Sequence, residues 1–81
     1  MNRILIVDDE PEVRQLIRLH LENAGLLVTE AESGLNAIAQ LQEHPFDLII
    51  LDLMMANGDG FEVLMYLKAA QVLQVLQFPT V

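Results

Sequence analysis

Three short apolar runs punctuate the chain, and each gives way to polar or turn-forming residues. Ile4-Leu5-Ile6-Val7 is continuously apolar and mostly β-branched, and it stops at Asp8-Asp9-Glu10. Such a run suits a strand covered on both faces, as in a parallel sheet. Leu26 to Ala31 reads as a second strand, broken by Ser33-Gly34. Asp47 leads into Leu48-Ile49-Ile50-Leu51, a third buried run that meets Asp52.

Between the runs the period lengthens. Pro11 suits a first helical turn, and apolar residues then recur at Val13, Leu16, Ile17, Leu19, Leu21 and Ala24. Arg14, Arg18 and Glu22 fall on the opposite side, which predicts an amphipathic helix ended by Gly25. Leu35, Ala37, Ile38, Ala39 and Leu41 predict a short helix to Glu43, stopped by Pro45. Asn57-Gly58-Asp59-Gly60 is strongly turn-forming, and Phe61 to Lys68 is helical again. The order β-α-β-α-β-α implies parallel pairing through right-handed crossovers, an α/β fold.

The tail follows a different pattern. Ala69 to Val81 carries no charge, and Val72-Leu73-Gln74-Val75-Leu76-Gln77 has two apolar residues in every three. That predicts a helix continued to about Leu76, apolar around most of its circumference and in need of cover. The alternative is a helix running into a strand that starts at Phe78-Pro79-Thr80-Val81.

Composition narrows the function. The 81 residues hold one domain at most, and 53% are hydrophobic, so the chain packs a core. A net charge of −8 argues against nucleic acid or an anionic membrane as partner. With no cysteine, disulfides and thiolate metal sites are excluded. The N-terminal apolar run is too short for a signal peptide or a spanning helix, so a cytoplasmic location is expected.

The acidic residues at strand ends carry the chemistry. Ligands of an open parallel sheet bind beyond the carboxyl ends of its strands. Asp8 and Asp9 follow the first strand and Asp52 follows the third. If those strands are neighbours, three carboxylates converge, and a hard divalent cation such as magnesium relieves their repulsion. A carboxylate beside a metal can attack phosphorus to form an acyl phosphate. A plainer role is also open to Asp9 or Glu10, capping the helix that follows.

These segments resemble bacterial response-regulator receiver domains. Ile4 to Glu10 is similar to their opening. Asp47 to Met55, followed by Gly58-Asp59-Gly60-Phe61-Glu62-Val63-Leu64, resembles their phosphorylation strand and loop. Ala31-Glu32-Ser33-Gly34 and Ala37 resemble the stretch between. The likeness covers about residues 3–68, with 69–81 a divergent apolar tail. It implies a flavodoxin-like (CheY-like) parallel sheet of strand order 2-1-3, truncated after the third helix. It also implies that Asp52 is the phosphoacceptor, charged by a histidine kinase or phosphotransfer protein. Asp9 would ligate Mg2+ directly, with Asp8 acting nearby, often through water; Asp52 and the backbone carbonyl of Met54 would supply further ligands, and Asp59-Gly60 would shape the turn into the third helix. Such a chain is a signalling acceptor, not an enzyme.

Departures from the family pattern set further expectations. Ala56 stands where the family usually has proline. The hydroxyl residue after strand four and the lysine after strand five have no counterpart. Thr80 lies before the expected fourth strand, and Lys68 is in the third helix. A third strand left as an open apolar edge, with the uncharged tail, predicts a homodimer or domain-swapped module as the competing reading. A haloacid-dehalogenase-type phosphatase also uses an Asp nucleophile with magnesium. It needs a second Asp two residues on, where this chain has Met54. His20 reads as a surface residue, His44 as a helix-end residue where a cation suits the dipole, and Arg14 with Arg18 as a solvated helix face.

Overall fold

A computed structural model describes residues 2–56, 59–69 and 75–78. The elements run β1 (Arg3–Val7), α1 (Pro11–Asn23), β2 (Leu27–Ala31), α2 (Gly34–Glu43), β3 (Leu48–Asp52), α3 (Asp59–Ala69) and β4 (Val75–Phe78). All strand pairs are parallel, in the order β2-β1-β3-β4. The expected 2-1-3 arrangement is therefore present and continues into a fourth strand.

Local chemistry sets the element ends. Pro11 opens α1, where its missing N–H costs nothing. Gly25, at φ +87°, closes it. The Leu26 N–H donates to Leu21 O and the Gly25 N–H to Glu22 O, a Schellman ending that only a left-handed residue permits cheaply. Ser33 caps α2 by accepting the Asn36 N–H.

Alternation along the strands divides the sheet into two faces. Leu5, Val7, Ile49 and Leu51 join Ala31, Ala37, Met55, Val63 and Leu67 in one buried cluster under α2 and α3. Ile4, Ile6 and Ile50 are buried too, on the alternate register. No residue of α1 is fully buried, and Leu16 and Leu19 stay exposed.

Several expectations need correction. The helix over the tail does not reach Leu76: α3 ends at Ala69, and Val75–Phe78 is a strand. Two apolar residues in three fits either period, and the unpaired edge of β3 decides the matter by offering a ladder of hydrogen bonds. The third strand is accordingly no open edge, since Ile49 to Asp52 pair with Val75 to Phe78. The main support for a self-associating module goes with it, and the sheet does not stop at the third helix. Thr80 follows β4 in the chain instead of preceding it; its own placement lies outside the described residues. Asp59-Gly60, read as a turn, forms the first turn of α3.

Candidate functional site

The register of β1 and β3 builds the site. Val7 pairs with Leu51, so Asp8 and Asp52 come next to each other at the carboxyl edge of the sheet. The Asp8 N–H donates to Ala31 O at 3.1 Å, which carries the β1–β2 ladder one residue further. Asp8 is 0% and Asp52 1% exposed, whereas Asp9 faces solvent. One carboxylate oxygen from each of the three lies within 4.8 Å of the others. The expected convergence is therefore present.

Turns after each strand fix the carboxylates. Asp8 Oδ1 accepts the Glu10 N–H at 2.9 Å, and Asp52 Oδ1 accepts the Met54 N–H at 2.8 Å. Each is an Asp bonding the main chain two residues on, a geometry its short side chain favours. Asp9 Oδ2 accepts the Ala56 N–H at 3.4 Å, joining the two loops. The Met54 side chain is largely exposed.

One oxygen stands out. Asp8 Oδ2 is buried and has no hydrogen-bond partner. Burial pushes the Asp8 carboxyl above its ordinary value; the Glu10 N–H works against this, and the charges of Asp52, Asp9 and Glu10 push it up further. A buried anionic oxygen facing like charges is costly unless something positive or a proton joins it. All-oxygen donors at this spacing fit a hard divalent cation. The three carboxylates thus have the donor type and spacing that a divalent cation takes.

Glycines let the site close. A Cβ on Gly60 would collide with the Asp52 carbonyl oxygen and lie 2.7 Å from Leu53 Cα. Only glycine lets α3 start directly against the end of β3. The Gly34 N–H donates to Asp59 Oδ2 at 3.3 Å, so the starts of α2 and α3 meet beside the loop.

The sequence reading missed Arg14. It is not a solvated side chain but 12% exposed, with Nε donating to Glu30 Oε1 at 2.9 Å and Nη1 to the Asp8 carbonyl at 2.6 Å. Arg18, 41% exposed, donates to Glu22 at 3.1 Å and to Glu30 Oε2 at 2.9 Å. The available signal was Glu30, a charge within a strand whose neighbours are otherwise apolar or neutral. His20 is exposed on α1 and His44 is exposed at the end of α2, both as expected. Among the described residues no helix is long and apolar enough to cross a membrane.

Residues 4–79 match the family model of the response regulator receiver domain. The transcriptional regulatory protein ResD of Bacillus subtilis is 51% identical over 61 residues, which are 75% of this chain and 25% of that protein. The receiver protein CpdR of Brucella abortus is 40% identical over 63 residues, 78% of this chain and 52% of that protein. The response regulator TrrA of Thermotoga maritima, solved in complex with Mg2+-BeF, superposes with a TM-score of 0.88 at 32% identity, covering 98% of this chain and 70% of that one. A second structure, of histidine kinase ThkA in complex with TrrA, matches with a TM-score of 0.84 at 35% identity, covering 95% of this chain and 67% of the other. The chain spans a quarter to a third of the length of the first curated relatives it matches. With the matched residues covering nearly all of β1 to β4, the chain belongs to the response regulator receiver domains, the signalling modules of two-component systems.

Proposed function

We propose that Asp52 accepts a phosphoryl group from a phosphohistidine of a histidine kinase or phosphotransfer protein, with Mg2+ held by Asp8, Asp9, Asp52 and the backbone carbonyl of Met54. The observation that carries this reading is the buried, partnerless Asp8 Oδ2 set among three converging carboxylates. Two likenesses support it: one relative was solved with Mg2+-BeF, and the same relative was solved with a histidine kinase.

The chain's own residues supply the positioning. The Met54 N–H holds Asp52 Oδ1, which leaves Oδ2 as the attacking oxygen. An Oδ2–P bond forms while the P–N bond to the donor histidine breaks. The imidazole leaves with the bond's electron pair and takes up a proton, and Asp52 becomes an acyl phosphate. Mg2+ held by these residues would neutralise charge on the phosphoryl oxygens. Gly60 keeps α3 tight against the Asp52 main chain, so the nucleophile does not drift.

Adding Mg2+ and then beryllium fluoride to the 15N-labelled chain tests this. Mg2+ alone is expected to shift the amides of residues 8–10 and 52–56. Beryllium fluoride is expected to add shifts that need both Mg2+ and Asp52, and that vanish in Asp52→Asn. A folded sample with no such response contradicts the reading.

A further inference from the structure

We infer that Arg14 is a positioning residue of the acidic site, fixing the main chain of Asp8 so that Asp8 Oδ2 faces the cation. This rests on the cation site proposed above. Arg14 lies at the start of α1, yet its guanidinium turns back to the end of β1. Nη1 donates to the Asp8 carbonyl at 2.6 Å, and Nε donates to Glu30 Oε1 at 2.9 Å. Glu30 precedes Ala31 on β2, and Ala31 O accepts the Asp8 N–H at 3.1 Å. A closed circuit results, from the Asp8 carbonyl through Arg14 and Glu30 to Ala31 and back to the Asp8 amide. Both peptide groups flanking the Asp8 Cα are pinned to β2.

The side chain then has little freedom. Its Oδ1 is taken by the Glu10 N–H, and the other oxygen is left buried and partnerless. Without Arg14 the Asp8 carbonyl loses a charge-assisted bond, and the peptide after Asp8 is free to turn. Glu30 does not simply need Arg14 as a counter-charge, because Arg18 Nη1 holds its second oxygen at 2.9 Å. The distinct contribution of Arg14 is the bond to Asp8.

Electrostatics alone gives the opposite expectation. Arg14 is a cation near a cation site, so removing its charge should tighten metal binding. Positioning predicts loss when the fork is removed, whether or not the charge remains. Lysine keeps the charge but not the planar fork that spans two acceptors.

The test is a Mg2+ titration of the 81-residue chain, followed by amide shifts, for wild type, Arg14→Lys and Arg14→Met. Both variants are expected to bind Mg2+ about 10-fold more weakly, the lower end of what residues that orient ligands contribute. In an Asp8→Asn background, where position 8 no longer offers an anionic oxygen, Arg14→Lys is expected to add no further loss. Unchanged affinity in Arg14→Lys, tighter binding in Arg14→Met, or an undiminished loss in the Asp8→Asn background would each overturn the inference. If Arg14→Met does not fold, Arg14→Lys and the double variant still decide. A wild type that binds no Mg2+ removes the cation site itself, an outcome distinct from a wild type that binds and an Arg14→Lys that binds equally well.

Discussion

At the scale of single residues, the site consists of carboxylates that repel one another. Asp8 and Asp52 are both buried, and each spends one oxygen on a main-chain N–H two residues on. Each bond stabilises one oxygen of its own carboxylate, but neither places a positive charge between the two. Asparagine at position 52 keeps an oxygen for the Met54 N–H and replaces a negative charge by a donor. Asp52→Asn is therefore expected to stabilise the cation-free chain, by about 1–3 kcal/mol for close charges in a partly buried setting. The same substitution should shrink the stabilisation that Mg2+ gives the wild type. Urea denaturation at pH 7, with and without Mg2+, measures both. A cation-free Asp52→Asn chain less stable than wild type would show that the carboxylates do not repel in the way the geometry implies.

At the scale of elements, α1 is joined to the sheet by charge as well as by its half-buried apolar face, Val13, Ile17 and Leu21. None of its residues is fully buried, and Arg14 and Arg18 bracket Glu30 on β2. Burial pushes the Glu30 carboxyl up, but the hydrogen bonds of Arg18 and Arg14 outweigh it and hold the group below its ordinary value of 4.5. A lowered acid pKa means the stabilisation is fully present above that ordinary value and fades as pH falls through the folded-state value. Glu30→Gln is expected to cost about 1–3 kcal/mol at pH 7, the range for losing charged hydrogen bonds. The gap between variant and wild type should close as the pH drops below 4.5 toward the folded-state value. Denaturation midpoints across pH 3 to 7 give the comparison, and a gap that holds constant would contradict the clamp. The helix was legible from its apolar period, but the clamp was not. Periodicity tells which side of α1 faces the sheet, not that Glu30 on a strand distant in sequence would draw two arginines inward. β4 was hidden for a related reason: its apolar spacing fits a helix as well as a strand, and only the free edge of β3 settles which forms.

At the scale of the whole molecule, the strand order does the work that no local feature can. Placing β1 between β2 and β3 brings Asp8 beside Asp52 from positions far apart in the chain. The strand ends made Asp8, Asp9 and Asp52 readable as candidates, because apolar runs that stop at aspartates mark the carboxyl edge of a parallel sheet. What sequence could not supply was which oxygen stays free, since that depends on the turns at Glu10 and Met54 and on the guanidinium of Arg14. The close approach of α3 was equally hidden, because Gly60 reads as a turn residue until the Asp52 carbonyl is seen lying against it. Phosphorylation itself decides whether Asp52 is the phosphoryl acceptor. The 81-residue chain is incubated with Mg2+ and a small acyl-phosphate donor such as acetyl phosphate, and then measured by intact-mass spectrometry. One added phosphoryl group is expected, labile to alkali, dependent on Mg2+ and absent from Asp52→Asn. A folded chain that gains no phosphoryl group, or an Asp52→Asn variant that gains it as readily, would contradict the claim.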